Sequence, residues 1–202
     1  MSPRRSAQDT LATRDKIVDR ARLLAASDGL EGITIGRLAD DLGMSKAGVI
    51  GHFGTKETLQ LATFAAAVDV FQHEVIDRVT GMPPGLDRLL RLCAAWLDYL
   101  DDGNVSPGGC FLTAAASEFD GRPGQVHDAV AKAGRRWLRF LEAQVRAAVD
   151  AGDLPGDTDT EQIAFELNGI AVGTNQVIQL HHDPRARERG WRAMRRVCGA
   201  LG

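Results

Sequence analysis

Three cysteines, Cys93, Cys110 and Cys198, stand far apart, and no CxxC occurs. Three reduced thiols acting as small hydrophobes are expected, with a redox or metal role for any one of them as the minor alternative. No apolar run approaches the roughly 18 residues of a membrane span, so no membrane partner is expected. The stretch MSPRRSAQDTLATRD is polar and lacks a secretion signal's apolar region, so the expected location is cytoplasmic. Tyr99 is the single tyrosine, and no strand-length alternation of apolar and polar residues occurs. A β-rich fold is therefore not expected. GxxxxGK[ST], HExxH and GxSxG are missing as well. His181-His182-Asp183 reads as a helix end that favours cations, since adjacent side chains diverge and no third ligand is placed. Cys110 follows two glycines, but no base is placed for it. No enzyme, metal or cofactor is expected.

Helical spacing is what the chain does have, throughout its 202 residues. Hydrophobic residues at 44% and charged residues at 25% suit an ordinary globular core. The net charge of −3 argues against a protein that merely coats nucleic acid. It is unevenly spread: residues 1–60 sum to +1 and residues 61–202 to −4. The expected fold is all-α, with about nine helices. The first runs from about Thr13 to Ser27. Thr34 caps a second, which Gly43 stops; Ser45 caps a short third, to Phe53; Thr55 caps a fourth. This fourth helix continues to about Val79, a rod of about 37 Å at 1.5 Å per residue, linking a head to a body. Further helices cover 86–100, 110–120, Gly124 to Ala151, a stretch from the DTDTEQ caps to about His182, and Pro184 to near Leu201.

Thr34 to Phe53 has the pattern of a helix-turn-helix: Ala39 small at the crossing, Gly43 at the turn, and Ile35, Leu38, Leu42, Met44 and Val49 filling the wedge. ITIGRLADDLGMSKAGVIGHFGTKETL resembles the N-terminal module of the TetR family of bacterial transcriptional regulators. The resemblance rests on Gly43-Met44-Ser45-Lys46, His52-Phe53-Gly54 and Thr55-Lys56-Glu57, and covers about residues 13–58. GGCFLTAAASEF resembles a segment of one branch of the family. The implied division is an arm over 1–12, a DNA-binding head over 13–58 and a ligand-binding, dimerising body over 59–202. The implied partners are double-stranded DNA bearing a palindromic operator, a small-molecule effector and a second copy of the chain. Repression is the implied default.

In that reading, the third helix enters the major groove. Ser45 caps it, and Lys46, Ala47 and Gly48 face base edges, with Lys46 suited to guanine and Ala47 to a thymine methyl. Thr34, Arg37, His52 and Lys56 face phosphates, and Arg4 and Arg5 reach a minor groove. Ile50 stands where the family usually has a phosphate-contacting Tyr, and Gly51 beside it has no side chain. These departures keep open an alternative, a helical small-molecule-binding module with lost or weakened DNA binding. The expected pocket is lined by Phe64, Val68, Phe71, Trp96, Tyr99, Phe111, Trp137, Phe140, Phe165 and Asn168, which suits an apolar or aromatic molecule. Gly169, Gly173 and Val177, with Trp191, Met194 and Val197 on the last helix, form the expected dimer face.

Overall fold

The structure, a computed structural model, describes residues 7–105 and 107–200. These contain nine α-helices and no strand: α1 Ala7–Asp28, α2 Ile35–Leu42, α3 Lys46–Phe53, α4 Lys56–Phe71, α5 Leu86–Asp101, α6 Phe111–Phe119, α7 Gln125–Asp150, α8 Thr160–His181 and α9 Ala186–Val197. Side-chain caps set the starts. Thr34 Oγ1 accepts the Arg37 N–H at 3.2 Å, Ser45 Oγ that of Gly48 at 3.0 Å, Thr55 Oγ1 that of Thr58 at 3.1 Å and Asp159 Oδ1 that of Gln162 at 2.9 Å. Gly43 ends α2 at φ 62°, in the left-handed region that glycine adopts without steric cost.

Three elements differ from the sequence expectation. α1 opens at Ala7, six residues before Thr13, so residues 7–12 are helical and not an arm. Arg4 and Arg5 lie outside the described residues. α9 is shorter than expected, running from Ala186 to Val197. The fourth helix keeps its path to Val79 but not its pitch: after Phe71 it becomes a π-turn over Gln72–Ile76 and a 3₁₀ turn over Asp77–Val79.

The pitch changes where the core does. One apolar cluster joins Ile17, Ala21, Leu38, Val49 and Phe53 of the first three helices to Leu59, Phe64 and Ala67 of α4. It also takes in Phe111, Ala115 and Phe119 of α6 and Val126 and Val130 of α7. The second cluster begins on the same rod at Phe71, Val75 and Val79, and runs through α5, the later part of α7, α8 and α9. The two cores therefore meet along a seam crossing α4 between Ala67 and Phe71. All three cysteines are buried and unbridged.

Candidate functional site

α2 and α3 form the outer surface of the head. Arg20 of α1 clasps Asp41 of α2 with bonds of 2.9 and 2.6 Å, and the Arg14 guanidinium lies 5.0 Å from the centre of the Phe53 ring. α3 is thus held by its neighbours despite two internal glycines. Its exposed face carries Lys46, Ala47, Ile50 and Gly51, with Thr34, Arg37 and Ser45 exposed beside it. Gly48 is half-buried, and its N–H is spent on the Ser45 cap. Ile50 is 37% exposed, an uncommon place for an isoleucine unless something covers it. A Cβ on Gly51 would meet nothing within 4 Å.

Two of the expected phosphate contacts already have partners within the chain. Arg37 pairs with Asp28. Lys56 Nζ donates to the Glu31 carbonyl at 2.6 Å and to its carboxylate at 3.1 Å. Gln60, buried, adds bonds to the Leu30 carbonyl at 3.1 Å and to Glu31 Oε2 at 2.8 Å. The Gln60 and Lys56 bonds hold the Glu31 carboxyl below the ordinary range. His52 is half-buried and packs against Phe53.

Two adjoining cavities lie on the seam. The inner one, of ≈ 240 Å³, is bounded by Phe64, Phe71, Trp96, Trp137 and Asn168 together with α6 residues from Leu112 to Ser117. The outer one, of ≈ 420 Å³, is bounded by Val68, Phe71, Gln72, Ile76, Trp137 and Phe140 with α7 residues from Ala129 to Arg136. Phe71, Leu112, Ala133 and Trp137 border both. The aromatic wall is rigidly interlocked: Trp137 meets Phe71 edge-on at 4.9 Å and Trp96 at 4.8 Å, and stacks on Phe140 at 5.7 Å.

Seven of the expected pocket residues thus meet, and three do not. Phe165 points away from both cavities and is 66% exposed, because its position on α8 faces outward. Tyr99 borders a separate polar cleft of ≈ 260 Å³ with Glu74, Arg78 and Arg91. Phe111 belongs to the head core and borders only narrow crevices toward α1. Sequence reading missed the α6 residues Leu112, Thr113, Ala116 and Ser117 and the α7 residues Ala129, Lys132, Ala133 and Arg136, which carry no aromatic signal.

α6 has a second duty. The Glu118 carboxylate accepts the N–H groups of Leu30 and Glu31, each at 2.8 Å, and so clamps the loop between α1 and α2. At the other end of α6, the Gly108-Gly109 pair permits close packing on both sides. A Cβ on Gly108 would strike the Ala26 carbonyl of α1, and one on Gly109 the Asn175 side chain of α8. Asn175 Oδ1 accepts the Cys110 N–H at 2.8 Å.

The expected dimer residues also divide. Gly169 and Gly173 are exposed on the outer face of α8, and a Cβ added to either would meet nothing within 4 Å among the described residues. Phe165, Val172 and Leu180 flank them, a stripe at helical spacing. Val177, Trp191 and Val197 are half-buried. Met194 is 0% exposed: it is consumed by the chain's own core and has no surface to offer a second copy.

Residues 17–63 match the family described as Bacterial regulatory proteins, tetR family, and residues 85–194 match Tetracyclin repressor-like, C-terminal domain. Over 171 residues the chain is 23% identical to the HTH-type transcriptional regulator SrpR of Pseudomonas putida, covering 84% of this chain and 76% of that protein. A TetR transcriptional regulator from Chloroflexus aurantiacus has a similar fold, at TM-score 0.86 and 19% identity, covering 96% of each chain. AibR in complex with isovaleryl coenzyme A and operator DNA matches at TM-score 0.70 and 21% identity, covering 90% of this chain and 95% of that one. With the helix-turn-helix surface, the seam cavities and both family matches in place, the chain belongs to the TetR family of transcriptional regulators.

Proposed function

We propose that two copies of the chain bind a palindromic operator as a repressor, and that a small apolar or aromatic molecule in the seam cavities releases it. The observation that carries this reading is the position of the cavities. Their walls come from both cores: Phe64 and Val130 from the head's, Phe71, Trp96 and Trp137 from the body's. A molecule lodged there changes how the two cores sit together. α6 lines the inner cavity with Leu112, Thr113, Ala116 and Ser117, and through Glu118 it holds the loop that leads into α2. The path from effector to the helix-turn-helix is one helix long.

The effector acts by population shift: it favours the arrangement in which the two heads no longer match groove spacing, about 34–36 Å. Its coupling to DNA is reciprocal. On the DNA side, Lys46 and Ala47 face bases as the sequence suggests, and Ile50 and Gly51 join them on the same face. Ile50 suits a thymine methyl, and Gly51 lets the backbone approach closely. In this reading Thr34, Ser45 and His52 meet phosphates, supported by the exposure of Thr34 and Ser45 beside α3. Arg37 and Lys56 reach phosphates only by exchanging their carboxylate partners.

That internal pairing favours the second reading, a ligand-binding module with lost operator affinity. Selection of bound duplexes from a random pool, at two salt concentrations, separates the two. An enriched palindrome is expected. Salt-sensitive binding without enrichment, or no binding, would overturn the operator reading in favour of the second.

A further inference from the structure

The walls of the seam cavities carry charge of one sign. Lys132 and Arg136, one turn apart on α7, border the outer cavity, and neither enters an ion pair or hydrogen bond among the described residues. No Asp or Glu borders either cavity. Elsewhere among the described residues Arg20, Arg37, Arg78, Arg146, Arg187, Arg189 and Arg192 all hold acidic partners. Lys132 and Arg136 instead stand beside an apolar chamber whose lining holds no carboxylate.

Two donors without acceptors lie within the wall of the inner cavity. The indole N–H groups of Trp96 and Trp137 are buried and meet no oxygen among the described residues. Trp96 is 3% exposed. Edge-to-face packing offers such an N–H only a ring face, a weaker partner than an oxygen, and an unmet buried donor is costly. The charge on the chamber's lining is therefore positive alone, and its other polar side chains, Gln72, Thr113, Ser117 and Asn168, can donate or accept. The rest of its surface demands an apolar, ring-bearing body.

Resting on the reading of these cavities as the effector site, we propose that the effector is an organic anion: an aromatic or aliphatic skeleton seated among Phe71, Trp96 and Trp137, with a carboxylate or comparable acidic group held by Lys132 and Arg136. Neutral isosteres forfeit the charge contacts, and organic cations are repelled. Because Lys132 and Arg136 lie at the exposed outer end, the preference weakens as ionic strength rises.

The test uses the full chain and three probes that share one frame: phenylbutyrate, phenylbutanol and phenylbutylamine. Binding is followed by tryptophan fluorescence, since two of the three tryptophans border the cavities. The carboxylate is expected to bind about ten-fold more tightly than the alcohol, the scale of two partly desolvated charge contacts. The amine is expected to bind more weakly than either. A K132Q/R136Q variant, with helix content checked, is expected to bind carboxylate and alcohol alike while keeping the alcohol's affinity. Equal binding of all three probes to the unaltered chain would overturn the charge preference and leave the cavity reading standing. Persistence of the preference in the double variant would overturn the assignment to Lys132 and Arg136. Failure of all three to bind would overturn the cavity reading itself.

Discussion

Glu31 gathers more of the head's polar contacts than its exposed position suggests. Its backbone N–H is held by Glu118, its carbonyl by Lys56, and its carboxylate by Lys56 and Gln60. A carboxyl held below its ordinary value stabilises the fold above the unfolded pKa, about 4.3, and that contribution is lost as pH falls through the lower folded value. The melting temperature is therefore expected to decline on acidification below about pH 4.3, and E31Q to flatten part of that decline. Because the pair is half-exposed, E31Q at neutral pH should cost under about 1 kcal/mol. A pH–stability curve unchanged by E31Q would show that the carboxylate contributes nothing. None of this network follows from local sequence. The motif suggests which residues to propose for DNA contact, but Lys56 meets Glu31 across 25 positions and Glu118 meets Glu31 across 87. Only the fold decides whether an exposed cation is free.

Among the helices, capping chemistry placed the starts of α2, α3 and α4 within a residue, because Thr34, Ser45 and Thr55 have one good use each. The early start of α1 had no such mark. The π-turn in the α4 rod was hidden for a different reason. Leu59, Thr63, Ala67, Phe71, Val75 and Val79 are all buried at a strict spacing of four. At 3.6 residues per turn such a stripe drifts by about 40° every four residues. A wider turn offsets part of that drift, so the strict period was the available signal. Gly51 tests the other unusual element, α3. With nothing within 4 Å of a Cβ, G51A should stabilise the isolated protein by up to about 1 kcal/mol. If its backbone approaches the operator, the same change should weaken DNA binding by about ten-fold or more. Melting temperature and operator affinity moving in opposite directions would explain why a short helix keeps its glycine. If both rise together, Gly51 does not face DNA.

At the scale of the whole molecule, the outer face of α8 is where a second copy has room to pack. Charges placed in the middle of an apolar interface cannot be solvated, so F165E/L180E should yield a single-chain mass in sedimentation with helix content unchanged. Operator affinity should then fall by about 100-fold or more, since each head binds its half-site alone. A variant that remains dimeric would place the interface elsewhere. The all-helical architecture and the head were readable from spacing and motif. The seam between cores was not, because it depends on which helices meet rather than on what each one is. That seam also bears on how such proteins diversify. The head cluster borrows Phe111, Ala115 and Phe119 from α6 and Val126 and Val130 from α7, so the DNA reader is not a detachable bead. A chimera cut at the family's conventional motif boundary would leave Ala25 and Leu30 facing a stranger's α6. New pairings of operator and effector in this lineage must travel with a matched α1, α6 and first half of α7, or arise by substitution at the exposed positions of α3 and at the cavity walls.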